Sequence, residues 1–298
     1  SGGSATSGAD YTAIPAAKVE ATQWPESVET EILRNAFGSI TDETFVSLTK
    51  SAFSTNIKER KDHSIAIVDR AGRLVVQAAL TLPIHIASMG GLMKSVLEKF
   101  GDDIHEGDIF VANDPHTAGG THLPDINYAM PIFVDGAIVA FVCNIAHHAD
   151  IGGMVPGSMA GGMSEIYQEG LRIPVVRLFK QGKIQHDIMD ILLLNVRVPE
   201  ERQGDHNAQI ASCRLGERRF KEVVAVHKLD NVLTAFDEII SRTHQRMKNT
   251  IAQIPDGVYE FGDYMDSDGV GTFDIPICLK LTVNGDHIHL DFAGTSPQ

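Results

Sequence analysis

Apolar residues between Glu26 and Ser54 (Val28, Ile32, Leu33, Ala36, Phe37, Ile40, Phe45, Leu48 and Phe53) recur mostly at three- and four-residue steps, the period of one helix face. The polar run Thr41-Asp42-Glu43-Thr44 reads as a cap dividing this stretch into two helices. Two β-rich runs, Ser64 to Val68 and Leu74 to Ala78, flank Asp69-Arg70-Ala71-Gly72 and predict a hairpin. Met89 to Phe100 has helical spacing, and Asp108 to Ala112 is a short buried strand that stops at Asn113-Asp114-Pro115. The runs Ile126 to Val134 and Ala137 to Ile145 are joined by Asp135-Gly136, a strong hairpin signal, and the second delivers His147 and His148 at its C-terminal end. Val175 to Phe179 and Lys183 to Gln185 surround Gln181-Gly182; long helical patterns then cover Asp187 to Asn195, Glu200 to Val226 and Leu229 to Ile251. Strands return at Gly257 to Asp266, Thr272 to Thr282 and His287 to Phe292, the last two joined by Asn284-Gly285 as a type I′ signal.

This order predicts an α+β protein with mixed or antiparallel sheets, built from hairpins and packed against long helices. Residues 1–25 open on a small, polar Gly/Ser tract and read as a disordered or tag-like N-terminus. Residues 26–180 form a metal-site α+β domain, 181–256 a helical segment, and 257–298 the start of a β-rich domain. The last residues follow a strand directly, with no closing element, so the sequence reads as the N-terminal portion of a larger subunit. The Gly- and Met-rich stretch from Ile151 to Ser164 reads as a loop folded over something, a candidate lid with glycine hinges.

The charge balance narrows the partners. With 25 Lys+Arg against 39 Asp+Glu the formal net charge is −14, and no basic stripe is available for nucleic acid or an anionic membrane. Three widely spaced cysteines, Cys143, Cys213 and Cys278, suit neither a disulfide framework nor a thiolate zinc site. No apolar run of about 18 residues and no signal-peptide pattern is visible, so a cytoplasmic location is expected.

The histidines are unevenly placed. Five of the 13, His105, His116, His122, His147 and His148, fall between Gly101 and Asp150. Imidazole and carboxylate are the ligands that borderline divalent ions accept, and an open His/Asp set is a usual form of a catalytic metal site. His122 and Asp125 lie on a Gly/Pro-shaped turn at the start of one strand. A hairpin with strands of about eight residues at roughly 3.3 Å each returns the chain to that turn. His122, Asp125, His147 and His148 are therefore the candidate metal ligands. Adjacent residues on a strand point opposite ways, so one of His147 and His148 is expected in the site unless the chain kinks, and His147 is favoured. Asp114, His116 and Asp150 could orient the imidazoles or could be solvated loop residues. Asp62 and His85 are the candidate catalytic acid–base residues, with Asp62 also able to act as a ligand or to join a surface ion-pair network. Glu165, Glu169 and Arg172 could bind a charged substrate group. No P-loop, dinucleotide fingerprint or nucleophile elbow occurs.

A series of ordered motifs resembles the hydantoinase B/oxoprolinase family: Asn56-Ile57-Lys58-Glu59-Arg60-Lys61-Asp62, Pro83-Ile84-His85, Asn113-Asp114-Pro115, Gly119-Gly120-Thr121-His122-Leu123-Pro124-Asp125, His147-His148-Ala149-Asp150-Ile151-Gly152-Gly153, Glu169-Gly170-Leu171-Arg172-Ile173-Pro174, Asn195-Val196-Arg197 and Asp291 to Pro297. The resemblance runs from about Glu26 to the end. It implies the metal-bearing subunit of an ATP-dependent enzyme related to N-methylhydantoinase, 5-oxoprolinase, caprolactamase and the acetone and acetophenone carboxylases. It further implies a hydantoinase A-type ATPase partner, holding ATP and Mg, that phosphorylates a carbonyl or enolate oxygen. This chain would complete the reaction at a divalent transition metal, zinc first and manganese or iron as alternatives. Opening of a cyclic amide is the expected reaction, a ketone carboxylation the alternative, and a non-catalytic partner subunit of an ATPase the alternative of another class. By the same resemblance His122 and Asp125 form a His-x-x-Asp ligand pair, with a distal histidine from the His147-His148 doublet and Asp62 as ligand or acid–base group.

Overall fold

The computed structural model describes residues 26–297, so the expectation for residues 1–25 lies outside the described residues. Helix α1 (Glu26–Ser51) is continuous through the position where the sequence suggests a cap. The hydroxyls of Thr41 and Thr44 donate to the carbonyls of Gly38 and Ile40 at 2.8 and 2.6 Å, so their polar side chains are satisfied without breaking the helix. Asp42 faces outward and accepts the amide of Ala79. After the short helix α2 (Thr55–Lys58) come strands β1 (His63–Asp69) and β2 (Leu74–Gln77), then helix α3 (Pro83–Phe100). Helix α3 starts six residues before its apolar period becomes clear. Pro83, with its preset φ, occupies the first turn and draws His85 into the helix.

Strands β3 (Ile109–Ala112), β4 (Asp125–Val134), β5 (Ala137–His147), β6 (Val176–Lys180) and β7 (Lys183–Ile184) complete a seven-stranded sheet in the order β2-β1-β5-β4-β3-β6-β7. Every pairing in it is antiparallel. The β4–β5 turn uses Asp135 and Gly136 at φ 51 and 80, the double positive φ that a type I′ turn requires. Helices α4 (His186–Leu194), α5 (Pro199–His227) and α6 (Leu229–Ile251) follow.

The pleat divides the core in two. Ala66, Ala129, Cys143 and Ile145 point toward α3, where Met89, Leu92, Met93 and Val96 cover them. Ile67, Ile132, Ala140 and Val142 point the other way, toward α1, α5 and α6, where Phe37, Phe220 and Phe236 pack ring on ring at 5.3 to 5.9 Å. The helical segment thus shares its core with the sheet.

A second sheet, β8 (Gly257–Ser267), β9 (Phe273–Asn284) and β10 (His287–Asp291), is antiparallel in the order β10-β9-β8 and leaves Phe261, Tyr264, Phe273 and Leu290 more than half exposed. Its last turn differs from expectation by one residue. Asn284 pairs with His287, so the loop is Gly285-Asp286, with positive φ at Gly285 alone. No helix of the described residues is long and apolar enough to cross a membrane.

Candidate metal centre

Four separate pieces of chain meet at one end of the large sheet, on its α3 face. Asp125, the first residue of β4, and His147, the last of β5, are direct cross-strand partners. Asp62 immediately precedes β1, and its carbonyl accepts the His147 amide at 3.0 Å. His85 arrives from the first turn of α3. His122 stands on the loop leading into β4. That loop passes so close to α3 that a Cβ on Gly91 would lie 2.5 Å from the Gly119 Cα, so the glycine contact seats the loop against the helix.

One ligand atom from each of His122, Asp125 and His147 lies within 4.8 Å of the others. His122 Nε2 is 3.2 Å from Asp125 Oδ1, and the His122 and His147 rings are 5.0 Å apart. His85 Nε2 sits 3.6 Å from Asp62 Oδ1 and 3.7 Å from Asp125 Oδ2. Asp125, His147 and His85 are buried, whereas about a third of the His122 and Asp62 side chains faces solvent. The cluster therefore has a dry floor and a wet rim.

The donor set fits a borderline divalent cation. Asp125 Oδ1 is buried without an aligned hydrogen bond, an unusual state for a carboxylate oxygen and the state a cation would relieve. Thr121 donates its hydroxyl to the other oxygen, Oδ2. Burial alone would raise the Asp125 carboxyl, but the adjoining His122 outweighs burial and holds it below the ordinary value. Burial likewise works against a charge on His122, yet Asp125 prevails and raises it. His147 and His85 are pushed down by burial, which the nearby carboxylates offset only in part, so both rings are neutral near pH 7. Ser64 Oγ accepts the Leu82 amide at 3.0 Å and lies 2.9 Å from His85 Nδ1. A Ser64 hydroxyl that donates to Nδ1 leaves the ring proton of His85 on Nε2, between Asp62 and Asp125.

His148 corrects one expectation. It follows His147 on a pleated chain and points to the opposite face, away from the cluster. There its Nε2 meets Gln209 Oε1 at 2.8 Å, and its ring lies 4.7 Å from that of His206. His206 Nδ1 lies 2.8 Å from the Tyr128 hydroxyl. Gln209 also donates to the Ile126 carbonyl and to Asn144. Asp205 accepts the amides of Phe53 and Ser54 and pairs with Arg202 at 3.2 Å. This network was not anticipated from sequence. Its signal was available in Arg202, Asp205, His206 and Gln209, which repeat at three- and four-residue steps along one face of α5.

Asp114 and Asp150 shape loops rather than orient imidazoles. Asp114 takes the Thr117 amide and the Arg172 guanidinium, and Asp150 takes Gly152, Gly157 and Arg197. Arg197 also donates to the Gly152, Gly153 and Val155 carbonyls, so the base of the Gly/Met loop is fastened. Arg172, a candidate for binding substrate charge, is committed to Asp114 at 2.5 Å. It lines an open cleft of about 570 Å³ with Asp114, Thr117, Tyr167 and Asn195, and none of the five cluster residues lines it.

One end of an antiparallel sheet thus gathers histidines and carboxylates from four segments, a donor set suited to a divalent cation. The chain belongs to the hydantoinase B/oxoprolinase family, whose profile matches residues 26–298. It is 32% identical over 259 residues to the caprolactamase subunit beta of Pseudomonas jessenii, covering 87% of this chain and 44% of that one. It is 30% identical over 299 residues to 5-oxoprolinase 1 of Arabidopsis thaliana, covering 91% of this chain and 23% of that one. The crystal structure of the ATP-dependent caprolactamase from Pseudomonas jessenii superposes with a TM-score of 0.83 at 30% identity, covering 93% of this chain and 47% of that one. The chain therefore spans about half the length, or less, of the relatives it matches.

Proposed function

We propose that this chain supplies the metal-dependent site of an ATP-dependent enzyme that opens a cyclic amide of the hydantoin, 5-oxoproline or lactam type. In this reading a hydantoinase A-type partner ATPase, holding ATP and Mg, first phosphorylates the substrate's amide oxygen. The observation that carries the reading is the convergence of His122, Asp125 and His147 with Asp62 and His85 around a buried carboxylate oxygen that lacks an aligned hydrogen bond. The family relationship and the names of the relatives support the reaction class.

A cyclic amide is a poor electrophile, and O-phosphorylation activates its carbon: water adds there, the C–N bond breaks with the nitrogen taking a proton to leave an acyl phosphate, and a second water releases phosphate and the ring-opened acid. His122, Asp125 and His147 would hold a divalent transition metal, zinc foremost, with manganese and iron also suited to this donor set. Such an ion supplies an activated water and a Lewis acid when bound. Asp62, part-exposed at the rim, is placed to accept the proton of the attacking water. His85, carrying its ring proton on Nε2, is placed to donate to the departing nitrogen. Ser64 keeps that proton on the side facing the reaction.

The test is coexpression with the partner ATPase, with ATP hydrolysis and ring opening measured over a panel of cyclic amides and ketones, together with metal content. Lactam- or hydantoin-stimulated turnover that is lost in Asp125→Asn supports the reading. Bicarbonate-dependent turnover of a ketone replaces it with a carboxylase. Full activity in both His122→Ala and Asp125→Asn leaves only a non-catalytic partner subunit.

A further inference from the structure

We propose that Asn56 is a positioning residue that sets the ring tautomer of His147, and that Asp205 secures it from the opposite face of the sheet. Asn56 Nδ2 lies 2.7 Å from His147 Nδ1. An amide nitrogen can only donate, so in this arrangement Nδ1 accepts and the ring proton resides on Nε2. A ring in that form has no lone pair at Nε2. Presenting one there requires the proton on Nδ1 and an Asn56 amide turned so that Oδ1 accepts it. Asparagine carries both groups on one torsion, so the orientation seen here selects the Nε2–H ring and the turned one would select Nδ1–H; aspartate can only accept, and leucine can do neither.

The backbone around Asn56 leaves the side chain little freedom beyond that rotation. The Asn56 carbonyl accepts the Asp62 amide at 2.9 Å, and the Asp62 carbonyl accepts the His147 amide at 3.0 Å, closing a ring of three contacts with the side-chain bond. Helix α2 has four residues and cannot hold its own place. Its start is fastened by Asp205, which accepts the Phe53 amide at 2.7 Å, the Ser54 amide at 2.8 Å and the Ser54 hydroxyl. Ser54 Oγ in turn accepts the Ala149 amide at 3.1 Å. Asp205 is fully buried on α5, so the helix face that receives His148 also fixes the segment that orients His147.

The tautomer assignment stands on these contacts alone, and its consequence for metal affinity rests on the metal reading above. The test is long-range proton–nitrogen NMR of the metal-free chain labelled with ¹⁵N-histidine, with His147 assigned by His147→Gln. His147 is expected as the Nε2–H tautomer in the unaltered chain, as Nδ1–H in Asn56→Asp, and as an average of both in Asn56→Leu. Unchanged His147 signals in Asn56→Leu overturn the proposal; if that variant does not fold, an unchanged tautomer in Asn56→Asp does so. Unaltered His147 signals in Asp205→Asn overturn the role of Asp205. A cobalt titration separates the two readings: Asn56→Leu is expected to bind about 10–100-fold more weakly, as loss of a ligand's hydrogen-bond partner generally does, while Asn56→Asp retains binding. Cobalt binding by none of the proteins, with the tautomer shifts intact, removes the metal reading and leaves the Asn56 assignment standing.

Discussion

His147 and His148 are adjacent, both buried, and surrounded by polar groups, yet the hydrogen bonding around them differs. On the His147 side the groups converge without satisfying one another. Asp125 Oδ1 lacks an aligned partner, and His85 Nε2 stands 3.6 and 3.7 Å from two carboxylates, beyond good hydrogen-bonding range. On the His148 side, Gln209 makes three side-chain bonds and Asp205 takes up three donors. A buried polar group left short of partners costs stability. The network on the His148 side ties α5 to β4, β5 and the start of α2, though Arg202 Nε within it is buried without an aligned hydrogen bond.

Substitutions on the two faces should therefore fail in different ways. The largest effect is expected from Asp125→Asn, which keeps the shape but removes the shared charge. Retained metal should fall by more than the roughly 10–100-fold typical of outer partners, measured by metal analysis after dialysis, with the melting temperature little changed. Asp205→Ala should act first on stability, with any metal loss it brings through Asn56 and His147 the smaller effect. It removes the carboxylate facing buried Arg202 Nε and frees two amides, for a loss of about 3–5 kcal/mol in denaturant titration. Equal metal loss without destabilisation in Asp205→Ala would erase the distinction between the faces. Next in size, His148→Ala should cost about 2–3 kcal/mol, from the cavity and the unpartnered Gln209, and leave metal binding to His122, Asp125 and His147 intact. A loss of metal in His148→Ala as complete as in His147→Ala would place both imidazoles in one site.

Short-range features were readable from sequence. The Asp135-Gly136 turn and the lengths of the flanking strands bring Asp125 opposite His147, and the alternation of the pleat separates His148 from it. Features decided by tertiary packing were not. Asp62 and His85 meet because β1 pairs with β5 and α3 crosses that face, contacts that no local pattern encodes. The α1 break was misread because Thr41 and Thr44 find partners within the helix. The β9–β10 turn was misplaced by one residue because pairing of Val283 with Gly257 on β8 keeps Asn284 in the strand, while Asp256 receives the Gly285 amide. The stripe on α5 was legible as a period but not as chemistry, since a polar helix face ordinarily meets water.

The smallest expected effect contrasts the faces through pH. His63 lies on the same face as His148. Thr49 gives its proton to the Phe45 carbonyl, so its hydroxyl accepts from His63 Nε2 and leaves Nδ1 buried without a partner. Burial, together with the charges of His85 and Lys61, pushes His63 down to about 3. Its folded pKa is below the unfolded value near 6.5, so stability is full above about pH 6.5 and is lost as pH falls from there toward about 3. His122, on the other face, is raised by Asp125, so its contribution is present below about pH 6.5 and is lost as pH rises through its folded value. Partial exposure of His122 makes that second contribution the weaker. In chelator-treated protein, the denaturation midpoint between pH 5 and pH 7 should fall on acidification. The fall should be shallower in His63→Gln and steeper in His122→Gln. The same slope in both variants would show that His63 and His122 do not differ in how they hold a proton.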